Sequence, residues 1–435
     1  EKVLSFCKYY KINDKMKKIN TKKLKNQNDS LALNGYRVIA LANIEMKKII
    51  KKQEYNEKDI PQLCFEGMIG FIDPIRENVK ESIEVCQKAS IKVVMITGDH
   101  PLTAYNIAKE LNIALNYNEV TTGNELDTYY TKGNEIFDQF IKTKKVFSRI
   151  TPIQKLEIVE SYKRLGEFVA VTGDGVNDTP ALKSANIGIA MGSGSNAALE
   201  TATMIISDDN FKSIVNSIKE GRTTYSNIRK VSYLLLSCGL AEVLFFLLSV
   251  IFNFPMPLVA IQLLWLNITT DGLQDLALSF EKTDDDIMLQ KPQNTSESVF
   301  NKELLTEVLI SGLSMGLIIF LVWIILINKL NFDIPVARGY IMMLMVFMQN
   351  MHTLNCRSES KHIYEVSFKK NPFVIFSIIL ATLLQIIVSE IPILSAYLET
   401  TSIPSLHIII LFLISSSIIM IVELYKSIKK KGKIK

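Results

Sequence analysis

Two hydrophobic rhythms divide the chain. Up to about residue 230, short apolar runs of strand length alternate with stretches whose apolar residues recur at helical spacing. "FEGMIGFID" (65–73), "IKVVMITGD" (91–99), "VFSRI", "FVAVTGDG" (168–175) and "IGIAMG" predict strands. "RENVKESIEVCQKAS" (76–90), "PLTAYNIAKELNI" (101–113) and "TPIQKLEIVESYKRLG" (151–166) predict helices. That alternation implies a parallel sheet covered on both faces, with ligands beyond the C-terminal ends of the strands. From Val231 onward the rhythm changes. Six apolar stretches, near 231–252, 258–278, 304–328, 338–356, 373–392 and 405–424, reach the roughly 20 residues that a membrane-spanning helix needs. Residues 1–64 fit neither pattern. "SLALNGYRVIALANIEM" (30–46) reads as a helix end, a glycine turn and a strand, in a piece too short and polar for its own core.

Charge orients this layout. Arg222, Arg229 and Lys230 precede the first span, and Lys282, Lys291 and Lys302 lie between the second and third. Arg357, Lys361, Lys369 and Lys370 lie between the fourth and fifth, and six lysines end the chain in "KSIKKKGKIK". The alternate loops hold only Lys329 and Arg338. Basic residues collect on the cytoplasmic side, so the soluble part and the C-terminus are expected in the cytoplasm of a multi-pass protein whose partner is the lipid bilayer. A net charge of +5 over 435 residues gives no case for nucleic acid. The five cysteines show no paired spacing and read as free thiols. The chain opens on Glu1 rather than Met, so a fragment is expected.

Candidate chemistry gathers at the strand ends. In "TGDGVND", Asp174 and Asp178 flank a glycine turn, and Mg²⁺ takes one or two carboxylates together with phosphate oxygens. Asn177 can donate to a phosphate or hold the loop. "MITGDH" ends another strand with Thr97, Gly98 and Asp99, which offer a hydroxyl and backbone N–H groups to an anion. Lys155 lies one turn into the helix begun by "RITPIQK", where a cation neutralises a phosphoryl group. Taken singly, the first motif also reads as an Asx/Gly turn and Lys155 as a surface lysine. In the membrane half, Glu242 and Asp271 lie inside spans, where carboxylates are costly and face a pathway. Asn267 and Asp271 stack on one helical face beside Thr270, and Gly272 is positioned to break the helix and free carbonyls. Such an oxygen-rich cluster suits a hard cation; a polar contact between helices is the plainer alternative.

In that order, "DPIR", "MITGDH", "RITPIQK", "TGDGVNDTPALKSANIGIAMGSG" and a membrane half resemble a P-type cation-transporting ATPase of the calcium-pump subgroup. The resemblance implies a Rossmann-like phosphorylation domain of the haloacid dehalogenase class, partial here, and an all-α bundle of six transmembrane helices. It assigns 1–64 to the end of a nucleotide-binding domain, 65–230 to the phosphorylation domain and 231–435 to the membrane domain. ATP and Mg²⁺ are the implied cofactors. Asp174 would hold Mg²⁺, Asp178 and Asn177 would complete the loop, and Lys155 would contact the phosphorylated aspartate. Thr97, Gly98 and Asp99 would bind phosphate and ribose; Asp73 and Arg76 would assist ATP at the hinge. Arg37 would reach the phosphates, or else be an ordinary strand-edge arginine. Glu242, Asn267, Thr270 and Asp271 would bind the transported cation, with Gln349 and Asp275 as further candidates. Ca²⁺ is favoured, but Gly239 and Gln349 stand where two-site calcium pumps carry Asn and Glu, so Na⁺, K⁺ or H⁺ stays open. The plasma membrane is the expected location. The family's phosphorylated aspartate lies in a DKTGT motif, which this chain lacks, as it lacks TGES and the first four spans. A missing N-terminal half is therefore the expected partner. Without the DKTGT strand an interior sheet edge is expected to lie open, leaving the chain inactive alone. The rivals are a membrane-tethered phosphatase, which needs its own nucleophilic Asp, and a non-catalytic regulatory half-pump.

Overall fold

The computed structural model describes residues 2–12, 15–33, 36–45, 57–71, 74–284, 286–292 and 298–432. They form two compact units, one of residues 1–217 with 288–295, the other of residues 218–287 with 296–435.

The first unit opens with helix α1 (Lys2–Ser5), strands β1 (Cys7–Ile12) and β2 (Lys15–Lys18), helix α2 (Thr21–Leu33) and strand β3 (Arg37–Asn43). With β4 (Leu63–Phe71) these make a four-stranded sheet in the order β2-β1-β4-β3. Antiparallel β3 places Ile39 opposite Ile69, and β1 runs parallel to β4. The boundary expected at residue 64 therefore falls inside a strand, and "FEGMIGFID" is one strand of this sheet.

Alternating elements follow, as the pattern predicts: α3 (Val79–Lys88), β5 (Met95–Ile96), α4 (Pro101–Glu110), β6 (Val120–Thr122), α5 (Gly123–Tyr130), α6 (Asn134–Thr143), β7 (Val146–Ser148) and α7 (Pro152–Arg164). Then come β8 (Ala170–Gly173), α8 (Thr179–Ser184), β9 (Ile187–Met191), α9 (Asn196–Thr201) and β10 (Met204–Ile206). All strand pairings here are parallel. The single sheet expected from the sequence is, however, two sheets of three, β5-β7-β6 and β10-β9-β8. Among the described residues β5 pairs only with β7 and β8 only with β9. With a ladder on one side only, the strand expected over 91–99 shrinks to two residues. Central β7 is fully buried, whereas Ala170 and Thr172 of β8 are exposed.

Helix α7 ties both half-sheets together. Pro152 and a Thr151–Gln154 capping box start it, satisfying donors that the first turn leaves free. On one side Gln154 donates to Gly123 O (3.1 Å) and Asp127 (2.6 Å), and Arg164 grips Asp138 (2.6 and 3.0 Å). On the other, Lys163 donates to Ser184 O (2.8 Å) and Lys155 pairs with Asp178.

The second unit contains most of the 41-residue helix α10 (Phe211–Ile251), then α11 (Ala260–Thr269), α12 (Asp271–Ser279), α13 (Lys302–Ile324, closed by a π-turn to Lys329), α14 (Ile334–Cys356), α15 (Pro372–Glu390), α16 (Pro392–Tyr397), α17 (Ser405–Ser415) and α18 (Ser417–Gly432). Among the described residues four helical stretches are long and apolar enough to cross a membrane: 211–251, 302–329, 372–390 and 405–431. The other two expected spans differ for physical reasons. Residues 258–278 are two short helices broken at Thr270. α14 is long, but Gln349, Asn350, His352, Thr353 and Asn355 lower its hydropathy. These five are buried, so their polar groups face other helices and not lipid.

Contacts at the helix ends fix alternating directions. At one end Arg229 holds Glu359 (2.8 Å) and Val299 O (2.8 Å). Arg357 holds Glu281 (2.8 Å), Asn371 donates to Ala277 O (2.7 Å), and Lys429 pairs with Glu307 (2.7 Å). At the other end Arg338 donates to Met256 O (2.9 Å), and Gln262 to Leu398 O (2.8 Å). The first end therefore gathers the ends of α12, α14 and α18 with the starts of α13 and α15, together with most of the basic residues.

Candidate functional site

The loop after β8 is built around Asp178. Its carboxylate accepts from the N–H groups of Asp174 (3.3 Å) and Gly175 (3.2 Å) while pairing with Lys155. Gly173 permits this: a Cβ there would lie 2.5 Å from that of Asp178. Asp178 is buried and fully used, as the keystone of the loop. Asp174 is the reverse. Its carboxylate is exposed and makes no hydrogen bond or ion pair among the described residues. Its backbone is pinned instead, because Ser195 N–H donates to its carbonyl (2.7 Å) and Gly194 packs against it. Asn177 is exposed beside it. The pattern "GSGSN" carried the signal for Gly194 and Ser195, which the reading of motifs passed over.

The loop after β5 offers a second set. Thr97 Oγ1 accepts from Asp99 N–H (3.1 Å) and donates to the Asp99 carboxylate (3.2 Å), forming a compact turn. Gly98 is exposed, with open space around its Cα. Lys155 begins beyond β7 yet reaches Asp178 beyond β8, so the C-terminal ends of both half-sheets point the same way. Thr97, Lys155, Asp174 and Asp178 thus share one edge. One free carboxylate, one ammonium and backbone donors suit a magnesium–phosphate ligand: the exposed Asp174 supplies the hard oxygen that Mg²⁺ prefers. Arg76 is placed differently, donating to Asp209 O (2.7 Å) in the loop after β10. Asp209 in turn accepts from Ser193 N–H (3.2 Å), and the Ser193 side chain, ahead of that backbone bond, holds its carboxyl below the usual range. Arg37 opens β3 opposite Phe71, but its side chain, like all of Asp73, lies outside the described residues.

In the helical unit the break between α11 and α12 is the central feature. Thr270 is its pivot, with φ −101° and ψ −69°. Thr270 N–H still reaches Leu266 O (2.9 Å) and Gln274 N–H reaches Thr270 O (2.9 Å). Thr270 alone is non-helical between the two segments, and carbonyls of the turn beside such a break are the candidates to serve as ligands. The break therefore precedes Gly272, where the sequence placed it. Thr270 Oγ1 is occupied by Leu266 O (2.7 Å), whereas the buried Thr269 hydroxyl has no partner. Glu242 of α10 accepts from Gln349 of α14 (3.3 Å) and borders a groove of about 470 Å³ between α10 and α11. Asp271 and Asp275 each keep one buried carboxylate oxygen without a partner among the described residues, and the Gln349 amide oxygen is likewise unpaired there. Asn267 is exposed. Among the described residues no three His, Cys, Asp or Glu side chains cluster as a metal cage.

A network unseen in the sequence supports this region. Gln274 bonds Asn350, Thr353 donates to Gln274 (2.5 Å) and to Gln349 O (2.8 Å), and Asn350 donates to Thr382 (3.0 Å). It joins α12, α14 and α15 directly behind the Glu242–Gln349 contact.

Comparison with known proteins agrees in both units. Residues 255–428 match the family described as cation transporting ATPase, C-terminus. Residues 13–186 and 155–218 match haloacid dehalogenase-like hydrolases. A calcium-transporting ATPase of Bacillus subtilis is 37% identical over 86% of this chain and 41% of its own length. Calcium-transporting ATPase type 2C member 1 of Pongo abelii is 30% identical over 99% of this chain and 45% of its own. Type 2C member 2 of Homo sapiens is 33% identical over 91% and 40%. The chain thus spans less than half the length of the curated relatives it matches.

Proposed function

The chain belongs to the P-type cation-transporting ATPases, and we propose that it carries the metal-binding part of the phosphoryl-transfer site and the cation-binding helices of a Ca²⁺ pump. The observation that carries this reading is the free Asp174 carboxylate on the strand edge that also presents Thr97 and the Lys155–Asp178 pair. Mg²⁺ bound there would neutralise the charge of a transferring phosphoryl group. Thr97, Gly98 and Asp99 bind the anion, Lys155 supplies a positive charge, and Asp178 fixes the loop. ATP is the phosphoryl donor, and the receiving aspartate comes from a segment outside this chain.

Transport rests on the broken helix. Glu242, Asp271 and the carbonyls of Asn267, Ile268 and Thr269 form the oxygen set for the cation, with Gln349 and Asp275 beside it. Hard cations take such oxygens, and Ca²⁺ tolerates an irregular set of six to eight. The printed names of the relatives are what favour Ca²⁺. The basic end of the helical unit faces the cytoplasm, in a plasma-membrane location.

The test uses the longer protein that includes this chain. Asp174→Asn abolishes Mg²⁺-dependent phosphoenzyme labelling from radioactive ATP, while Asp271→Asn leaves labelling from phosphate and weakens its dependence on Ca²⁺. Normal labelling of the Asp174 variant refutes the phosphoryl-site assignment. Unaltered Ca²⁺ dependence of the Asp271 variant removes that residue from the cation site.

A further inference from the structure

Most cations at the basic end of the helical unit are already used. Arg229 pairs with Glu359, Arg357 with Glu281, Lys361 with Asp284 and Asp286, and Lys429 with Glu307. Lys282 and Lys369 differ. Both are exposed, and neither ammonium has a partner among the described residues. They stand on one seam, since Lys282 follows α12 and Lys369 precedes α15. Asn371 ties these ends together by donating to Ala277 O (2.7 Å) and to Glu281 (3.0 Å), and Arg357 joins Glu281 to Ser367 O (3.0 Å). The described carboxylates of this stretch, Glu281, Asp284 and Asp286, are engaged by Arg357 and Lys361, so the charge left over is positive. The first turn of α15 adds the positive end of its helix dipole. Apolar side chains continue the seam along both helices. The rings of Phe280 and Phe373 lie 5.9 Å apart. They are 61% and 58% exposed, and Leu276 on α12 and Phe376 on α15 are 61% and 63% exposed. α15 is one of the stretches apolar enough to span a bilayer, so Phe373 marks the level at which a span begins.

We propose that this seam binds one anionic phospholipid, with its headgroup between Lys282 and Lys369 and an acyl chain along Leu276, Phe280, Phe373 and Phe376. Charge and apolarity together select that occupant. The ligand must be anionic at one end and apolar immediately beyond it. A soluble anion gains nothing from the exposed rings. A zwitterionic lipid brings its own cation up to two lysines. A neighbouring helix covers the apolar stripe but leaves both ammonium groups without an anion. Basic side chains at the ends of membrane helices recognise anionic headgroups in this way, each lysine near the surface contributing about a fivefold change in binding. The bound lipid joins the end of α12 to the start of α15 from outside, as the Gln274–Asn350–Thr382 chain joins them from within. Neither lysine belongs to the phosphoryl or cation machinery, and the proposal does not rest on either reading.

The test places the longer protein that includes this chain in phosphatidylcholine bilayers with a small share of phosphatidylserine carrying a photoreactive group in its acyl chain. After illumination the labelled peptides are identified by mass spectrometry. Phosphatidylserine labels the segments 276–282 and 368–376 in preference to photoreactive phosphatidylcholine of the same chain length. Lys282→Gln and Lys369→Gln each lower that labelling by about fivefold, and the double variant by roughly twenty- to thirtyfold. The double variant with arginine at both positions keeps the preference, which separates loss of charge from loss of fold. Equal labelling by the two lipids reduces the seam to ordinary bilayer contact and overturns the proposal. So does a preference that survives both glutamine substitutions. Absence of label from both lipids at these segments, with other apolar helices labelled, means that a further helix covers the seam and likewise overturns it.

Discussion

The helical unit ties its helix ends together with buried ion pairs and side-chain bonds to carbonyls, whereas the α/β unit leaves strand edges open, β5 and β8 among them. Arg357 and Glu281 illustrate the first case. Each side chain is 2% exposed, and Asn371 and Ser367 complete the set of bonds. β5 and β8 illustrate the second, each with a ladder on one side. The difference separates stability from competence. Irregular backbone in the helical unit occurs at Thr270, beside the carboxylates of the proposed cation site. In the α/β unit the turn after β8 turns N–H groups toward Asp178 and leaves Asp174 to a ligand.

If the helical unit is closed in this way, breaking its buried ion pair has the largest effect. Arg357→Ala strands the Glu281 carboxylate in a buried site and costs about 3–5 kcal/mol. Thermal unfolding in detergent, followed by tryptophan fluorescence, measures the loss. A change below 1 kcal/mol would mean that the contact is incidental and the comparison unsound. Next comes Gln274→Leu, which leaves the buried Asn350 amide oxygen without its donor, at about 1–3 kcal/mol, and Thr353 with Gln349 O alone. In the longer protein it also lowers Ca²⁺ affinity, because the Thr353–Gln349 contact behind Glu242 loosens. Affinity unchanged in a variant that is clearly destabilised separates the network from the cation site.

Glycine replacements sharpen the contrast within the α/β unit. Gly173→Ala forces its Cβ into Asp178, 2.5 Å away, at a cost of about 1–3 kcal/mol. Gly98→Ala meets nothing within 4 Å and changes stability by no more than about 0.5 kcal/mol. Urea unfolding of the two variants side by side checks the difference. Equal effects would mean that the Asp178 keystone is not rigid.

Much of this layout is legible in residue order. Apolar period and strand-end glycines locate β8, β9 and α7, and the polar residues of 258–278 mark a disturbed span. What order alone does not reveal is partnership across distance. Asp174 and Asp178 look alike in "TGDGVND", and only the approach of Lys155 and two N–H groups separates the keystone from the free ligand. Gln274 and Asn350 are 76 residues apart. The break falls at Thr270, whose hydroxyl bonds Leu266 O, and not at Gly272, which is helical. The bond from Arg76 to the Asp209 carbonyl, 133 residues along the chain, is likewise invisible in residue order.

The smallest effect is expected at the α/β counterpart of the buried pair. Arg164 bonds Asp138 through two nitrogens, but the Arg164 side chain is 36% exposed and solvent screens the pair, so Arg164→Ala costs about 1 kcal/mol at neutral pH. The Arg164 hydrogen bond, ahead of burial, holds the Asp138 carboxyl below its ordinary value. A depressed carboxyl contributes stability above its unfolded pKa of about 3.9 and loses it as pH falls through the folded value. The stability gap between parent and variant is therefore constant from pH 7 to about 5 and closes below pH 4. Urea midpoints measured across that range test it. A gap that persists at pH 2.5 would mean that Arg164 acts through the packing of its methylenes on α6, and the two ion pairs would then differ in kind as well as in burial.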